Sequence, residues 1–290
     1  MSKSVDDSQA RDLVVKAEKK LTSWSLFSGA SKYEEAAEMF TKAANRFKVA
    51  KNWNEAGSAF EQTARCHLKC DSAHEAATAY QDAANCYKKT DAQRAILLYK
   101  EGVRLQEDMG RFTMAAKLQK EIAELHETEN NLENAMDAYQ KAADYYAGEE
   151  STSAANQCLL KVAGFAAATS DYKKAIEIYE QVAMTSLEST LLKWSVKDYF
   201  LRAGICHLAS GDTDATAAAL DRYKNLDASF ASTREGLFLE NIARAYADLD
   251  LDDFTDKVRE YDEISRLDAQ KTTLLLEVKN KISATQNDIT

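Results

Sequence analysis

Residues 135–143 read Ala-Met-Asp-Ala-Tyr-Gln-Lys-Ala-Ala, and residues 175–183, forty positions later, read Ala-Ile-Glu-Ile-Tyr-Glu-Gln-Val-Ala. Each segment has an alanine at its start, a tyrosine four residues on and an alanine eight residues on. Offsets of 0, 4 and 8 lie along one face of an α-helix. Small residues at the two ends let a neighbouring helix approach closely, and the aromatic ring fills the groove between them. The pattern predicts a packed helix.

The same pattern recurs along the chain at intervals of 20 residues, with one interval of 19. Its first alanines are Ala36, Ala56, Ala76, Ala95, Ala115, Ala135, Ala155 and Ala175. Its second small residues are Ala44, Ala64, Ala84, Val103, Ala123, Ala143, Ala163 and Ala183. The central position holds Phe40, Phe60, Tyr80, Tyr99, Gln119, Tyr139, Leu159 and Tyr179. Gln119 departs from the large apolar or aromatic residue usual at this position. We interpret the alanines and aromatic residues of the pattern as core residues that carry no function of their own.

Short polar segments separate the units, so each unit is predicted to be a helix of about 14–16 residues that is antiparallel to its neighbours. Two units then form a hairpin of 40 residues, slightly longer than a tetratricopeptide (TPR) repeat. The predicted fold class is all-α: a TPR-like helical-hairpin solenoid, which is a twisted sheet of antiparallel helices with a concave face.

The 20-residue register fails after about residue 190, although the remaining sequence still has helical character. Predicted helices cover residues 191–208, 214–226, 233–249, 253–267 and 272–283, followed by a polar tail at 285–290. We therefore predict two domains: a solenoid over residues 1–190 and a C-terminal helical bundle with its tail over residues 191–290.

The composition is typical of a folded helical protein, because proline is absent and only nine glycines interrupt the chain. A net charge of −10 argues against general nucleic-acid binding. The polar start lacks the apolar segment of a signal peptide, and no apolar run reaches the roughly 18–20 residues that span a bilayer. The odd number of cysteines, five, indicates reduced thiols. These features predict a cytoplasmic protein.

The sequence offers little chemistry. It has no glycine-rich phosphate loop, and its His-Glu pairs lack the second histidine of a zinc-protease motif. Cys66 and Cys70 have the spacing of half a zinc site, but no second ligand pair matches them. A packed thiol at Cys66 is the better interpretation, since it lies two residues after a small core position. We predict no enzyme, no catalytic residue, no cofactor and no metal.

Three features suggest surface functions. The apolar side chains of Trp24, Leu26 and Phe27 lie in a loop containing serine and glycine, and they either pack on the solenoid or enter a partner or a bilayer. Dispersed basic residues either line a concave face for an acidic partner or are ordinary solvated positions. An acidic run at 248–253 precedes a tail in which Ile289 is either frayed or an apolar plug for a partner.

Several segments, taken in order, resemble the soluble NSF-attachment proteins of the alpha-SNAP type. They are Phe47–Trp53, Asp108–Lys117, Ala142–Tyr146, Cys158–Gly164 and Glu260–Asp268. The resemblance runs from end to end of the chain, and it implies a twisted sheet of helical hairpins followed by a C-terminal bundle. It also implies a function: members of this family wrap assembled SNARE four-helix complexes and recruit the AAA ATPase NSF, which unwinds them.

The resemblance implies three sets of contact residues. SNARE contacts would fall on Arg111, Lys117, Lys161 and Arg234, and more weakly on Lys48, Lys51, Lys88 and Lys89. Trp24, Leu26 and Phe27 match the apolar loop with which the family contacts membranes. The ATPase contact would use Ile289, in place of the family's penultimate leucine, together with Asp248, Asp250, Asp252 and Asp253.

Two departures from the family pattern stand out, because Gln157 replaces a frequent lysine and Arg244 replaces an expected carboxylate. The alternative function is a helical-repeat scaffold that binds another acidic coiled coil. We expect the free protein to be a monomer, since its helices bury their own apolar faces and no heptad seam remains.

Overall fold

The structure is a computed structural model that describes residues 2–23 and 30–289, and side chains within 7–23 and 30–286. Every regular element in these residues is a helix and none is a strand, which confirms the all-α prediction. The chain forms two compact units, residues 1–151 and 152–290. None of the described helices is long and apolar enough to cross a membrane.

The described part of unit 1 contains seven helices, and each helix packs against the next. They are α1 (Ser2–Thr22), α2 (Ser31–Val49), α3 (Trp53–Lys69), α4 (Ala73–Tyr87), α5 (Ala92–Asp108), α6 (Phe112–Thr128) and α7 (Leu132–Gly148). Consecutive helices are antiparallel: Lys20 near the end of α1 pairs with Glu35 near the start of α2 at 2.5 Å. The repeat helices α2 to α7 have 15 to 19 residues, so the predicted 14–16 was too short.

The helices are longer than predicted because most turns use only three residues. In the first repeat turn Lys51 has φ +60°, and the amide of Asn52 donates to the carbonyl of Phe47 at 2.8 Å. A left-handed residue followed by this bond back across the helix end is a Schellman cap, which satisfies carbonyls that the helix leaves open. The same arrangement recurs with left-handed Asp71, Gly110, Asn130 and Glu150.

The alanines and aromatic residues of the 20-residue pattern are all buried, which confirms their interpretation as core. Tyr99 and Tyr139 are the largest fully buried side chains of unit 1. Each buried hydroxyl has a partner on the preceding helix: Tyr99 donates to Asn85 at 2.6 Å and Tyr139 donates to Glu127 at 2.8 Å. The rings therefore fill the core without leaving an unsatisfied polar atom.

Unit 2 also contains seven helices: α8 (Thr152–Ala168), α9 (Tyr172–Leu187), α10 (Val196–Ser210), α11 (Thr213–Leu226), α12 (Arg234–Ala247), α13 (Leu251–Ile264) and α14 (Ala269–Ile289). Helix α10 contacts α9, α11, α12 and α14, so it is the centre of the unit. Phe200 of α10 stacks on Tyr223 at 4.4 Å between ring centroids, and Phe230 meets Phe200 edge-on at 5.4 Å.

Helix starts follow the 20-residue spacing through α8 and α9, and α10 then begins 24 residues after α9. The predicted domain boundary at residue 190 refers to this end of the repeat, and it stays a prediction. Two predictions about helix bounds in unit 2 were wrong. Residues 193–195 form a short 3-10 turn, so α10 begins later than the predicted position 191. The predicted polar tail is helical, because α14 continues to Ile289.

The first turn of α14 is held on α10 by a network of charges. Arg202 donates to Asp198 at 2.8 Å and to Asp268 at 2.6 Å. Lys271, which is only 8% exposed, donates to Asp198 at 2.5 Å. Burial raises the pKa of Asp198, but Arg202 and Lys271 outweigh this effect, so the pKa lies below the ordinary value of 3.8. The ionised carboxylate therefore stabilises the folded state.

We predict that Asp198→Asn lowers the unfolding free energy at pH 6 by about 1–3 kcal/mol, less than a fully buried pair because the side chain keeps partial access to water. A carboxyl whose folded pKa is depressed contributes stability above its unfolded pKa and loses it as pH falls through the folded value. The difference in unfolding free energy between wild type and variant should therefore shrink below about pH 3.8. Urea unfolding at pH 6 and at pH 3 measures this difference.

The control for this prediction is Asp221→Asn, at an exposed position of α11, which should change the unfolding free energy by less than about 0.5 kcal/mol. A gap between wild type and Asp198→Asn that stays constant from pH 6 to pH 3 would contradict the role given to the ionised carboxylate.

Candidate partner-binding surfaces

Six of the predicted basic contacts lie in unit 1, and we call them the basic surface: Lys48, Lys51, Lys88, Lys89, Arg111 and Lys117. All six are exposed, and they lie in α2, in α6 and in the turns that follow α2, α4 and α5. Arg111 at the start of α6 hydrogen-bonds Nδ1 of His74 at the start of α4, at 2.7 Å. Alternate helices therefore contribute neighbouring side chains to one surface.

Four members of the basic surface lie at the turns that follow α2 and α4. Lys48 lies 5.4 Å from the centroid of the Phe60 ring, and Lys89 lies 3.6 Å from the centroid of the Trp53 ring. An ammonium group over an aromatic face keeps its charge while its position is restricted. Lys51 occupies the left-handed position of the α2–α3 turn and is exposed.

Carboxylates of the same surface compete for these lysines. Lys88 pairs with Glu121 of α6 at 2.6 Å and approaches Glu124 at 3.8 Å. Lys117 shares a helical face with both glutamates, at spacings of four and seven residues. Among the described residues Lys117 has no carboxylate partner, and its ammonium lies 4.0 Å from Sδ of Met114. Lys117 is thus more available to an acidic partner than Lys88.

The positive charge of Lys48 faces a half-buried carboxyl, that of Asp82 in α4. Burial raises the pKa of Asp82, and Lys48 opposes this effect only in part. Asp82 lines a groove of about 360 Å³ formed by α2, α3 and α4, together with Thr41, His67 and His74. The basic surface is therefore not uniformly positive.

The two remaining basic contacts lie in unit 2 on different helices. Lys161 of α8 lines a groove of about 380 Å³ whose other wall is the first half of α14. Gln157, which replaces a frequent family lysine, is exposed one helical turn before it. Arg234 is exposed at the start of α12 and donates to the hydroxyl of Ser265 at 3.0 Å. The structure does not join these two residues into one cluster.

The acidic residues surround the turn between α12 and α13. Asp250 caps α13, because its carboxylate accepts from the amide of Asp253 at 2.9 Å. Asp248 ends α12, whereas Asp252 is exposed in the first turn of α13. Gln286 of α14 donates to the carbonyl of Leu249 in this turn at 2.5 Å. The acidic turn and the C-terminal end of α14 thus lie side by side.

Four sequence-predicted site residues have side chains outside the described residues. Trp24, Leu26 and Phe27 fall in the segment 24–29, and Ile289 is described only as the last backbone position of α14. Arg244, the other departure from the family pattern, lies in the last turn of α12, where its carbonyl accepts from the amide of Asp248 at 2.9 Å.

A pair of exposed apolar side chains just before α10 was not predicted from the sequence. Leu191 is 87% exposed and Trp194 is 83% exposed. Trp194 borders a groove of about 480 Å³ that is also lined by Lys193 and Lys197. We predicted helix from residue 191, which would have given these side chains a packed face. The break in the 20-residue register at this point was the signal that could have revealed them.

We predict that the unfolding free energy of the double variant Leu191→Ser, Trp194→Ser lies within about 0.5 kcal/mol of the wild-type value, because neither side chain is buried. The matched control is Phe200→Ala in the centre of unit 2, which should cost about 3–5 kcal/mol. Urea unfolding followed by circular dichroism measures both. A large loss of stability in the double variant would mean that Leu191 and Trp194 pack in solution.

The environment of Cys66 tests its interpretation as a packed thiol. Cys66 is buried against Ala36, Ala37 and Phe40, and burial raises the pKa of its thiol to about 11. A thiol with a raised pKa is a poor ligand and a poor nucleophile at neutral pH. None of the five cysteines forms a disulfide. The interpretation of Cys66 as a packed thiol is confirmed.

Comparison with known proteins gives a consistent result along the whole chain. The chain is 51% identical to the alpha-soluble NSF attachment protein of Vitis vinifera, over 93% of this chain and 92% of that protein. It is 52% identical to the protein of the same name from Dictyostelium discoideum, over 96% and 97%. It is 45% identical to the Homo sapiens protein of that name, over the full length of both.

The family model described as "Soluble NSF attachment protein, SNAP" matches residues 8–283. This range covers both units and includes the basic surface, Lys161, Arg234 and the acidic turn. The alignment with the Homo sapiens relative extends over the full length of the chain. The chain belongs to the soluble NSF attachment protein family.

Proposed function

We propose that this chain is an adaptor that binds assembled SNARE complexes, recruits an NSF-type AAA ATPase and stimulates SNARE disassembly after membrane fusion. The observation that carries the proposal is family membership over residues 8–283, with relatives named for attachment to NSF. In this proposal the chain performs no catalysis, and hydrolysis of ATP belongs to the partner. The alternative is a scaffold for another acidic coiled coil.

The SNARE contact in this proposal begins with the basic surface. Exposed lysine and arginine side chains attract an acidic helical bundle over a distance and orient it before contact. Arg111 and Lys117 are the strongest candidates, because both are exposed and Lys117 has no carboxylate partner among the described residues. Leu191 and Trp194 supply exposed apolar area that such charges do not.

The ATPase contact in this proposal is the acidic turn together with the end of α14. Asp248 and Asp252 are exposed, whereas Asp250 and Asp253 also take part in the cap of α13. Ile289 would add an apolar contact at the end of α14. Experiments on the acidic turn should therefore change Asp248 and Asp252, since substitutions at Asp250 would also weaken the helix cap.

The loop with Trp24, Leu26 and Phe27 completes the proposal. Three apolar side chains at a bilayer surface would raise the local concentration of the adaptor near membrane-embedded SNAREs without anchoring it. The protein would then work in the cytoplasm, peripherally associated with membranes, and it would be a monomer when free.

We predict that the double variant Arg111→Glu, Lys117→Glu binds a purified SNARE complex about tenfold or more weakly, because two attractive contacts become repulsive. The matched control is Lys100→Glu, Arg104→Glu, which makes the same charge change at exposed positions of α5. Pull-down and binding isotherms at fixed ionic strength measure the difference. If both variants bind like wild type, the basic surface is not the contact, and the scaffold for another coiled coil is favoured.

We predict that Asp248→Lys, Asp252→Lys, and separately removal of Ile289 and Thr290, leave SNARE binding intact but lower ATP-dependent disassembly by NSF. A binding site that has lost charge complementarity recruits its partner more slowly. The control is Asp137→Lys, Asp144→Lys, at exposed positions of α7. Disassembly that proceeds equally well without any adaptor would remove the proposed function and leave only the helical scaffold.

A further inference from the structure

We propose that α14 couples the SNARE contact at Lys161 to the ATPase contact at the acidic turn, and that Gln270 and Arg202 are positioning residues for this coupling. The inference rests on the proposed function and adds to it a path through named side chains. All of these residues belong to unit 2.

The first end of the path is the tie between α8 and α14. The side-chain amide of Gln270 donates to the carbonyl of Gly164 at 2.8 Å, one turn after Lys161. A Cβ at residue 164 would lie 2.9 Å from Nε2 of Gln270, so glycine permits this approach. Lys161 and Gln270 also line the same groove. A displacement of α8 at Lys161 therefore acts directly on the first turn of α14.

Gln270 is itself held in place from two other helices. Its Oε1 accepts from Arg202 of α10 at 3.0 Å and from the hydroxyl of Tyr179 of α9 at 3.4 Å. Arg202 is largely buried and donates as well to Asp198 and Asp268. The planar guanidinium donates to one acceptor in α10, one in α14 and one just before α14. It therefore fixes the orientation of α14 relative to α10, which an ammonium would not. The hydrogen bonds of Gln270 and Arg202 thus fix the orientation of the first turn of α14 as well as its contact with α8 and α10.

The second end of the path is the acidic turn. Leu274, Leu275, Val278 and Ile282 are buried along one face of α14. Beyond them Gln286 donates to the carbonyl of Leu249, between α12 and α13. A helix of 21 residues spans about 30 Å. Because both ends are bonded to the surfaces that the partners would use, a pull on the acidic turn is transmitted to α8.

The test uses full-length variants that loosen the first end without touching a proposed contact residue. Arg202→Met removes the guanidinium, and Gln270→Leu removes the amide at similar volume. The matched control is Arg259→Met, which removes an exposed arginine of α13 that pairs with Asp256 at 2.9 Å. SNARE affinity, maximal NSF-driven disassembly rate and hydrogen exchange of α14 are measured for each.

We expect both variants to bind the SNARE complex within about twofold of wild type, while the maximal disassembly rate falls about fivefold, the lower end of usual coupling energies between sites. Exchange in the first turns of α14 should rise, and Arg259→Met should match wild type in all three measurements. If Gln270 and Arg202 had only a structural role, their substitution would raise hydrogen exchange in α14 without lowering the disassembly rate more than the SNARE affinity. If Arg202→Met does not fold, the measurements on Gln270→Leu alone test the inference.

Two outcomes overturn the inference. Disassembly at the wild-type rate despite faster exchange in α14 would show that the hydrogen bonds of Gln270 and Arg202 do not carry coupling. A loss of SNARE affinity equal to the loss of rate would make Gln270 and Arg202 part of the binding surface. Either result is distinct from failure of the proposed function, in which the unaltered chain itself would not support disassembly.

Discussion

Close helix packing at alanine positions is the constraint on which the rest of the structure depends. Two small residues eight positions apart let adjacent helices approach, and the aromatic residue between them fills the space that remains. The fully buried Tyr99 and Tyr139 add a further condition, since each hydroxyl must reach a polar group on the preceding helix. With the core fixed in this way, the other faces of the helices are free to carry charge.

The 20-residue repeat also places a turn after every helix of the solenoid. The chain has only nine glycines, so most of these turns must form without one. Most repeat turns put a residue other than glycine into the left-handed region, among them Lys51, Asp71 and Ser170. Such a residue costs about 1–2 kcal/mol, which the Schellman bonds and the packing of the following helix offset. Polar residues serve well there because the position points into solvent.

The repeat, the all-α fold and the core were predictable because they depend on local periodicity, which is written in the sequence at every unit. The helix ends were harder, since Schellman caps without glycine leave little trace in the sequence. The exposed Leu191 and Trp194 escaped prediction because an apolar residue beside a helix looks like core until the packing is known. The network of Arg202, Asp198 and Lys271 joins residues some 70 positions apart, and no spacing rule indicates it.

The charges on the repeat helices divide into those that the fold already uses and those that remain for a partner. Lys88 has two glutamates nearby, so a SNARE bundle that engaged it would first have to displace them. Lys117 requires no such exchange, so in the proposed SNARE contact its contribution should be larger although the two residues have the same charge. The same reasoning separates Asp250, which caps a helix, from Asp252, which does not. Net charge alone would have ranked each pair equally; the hydrogen bonds that each residue already makes determine the order.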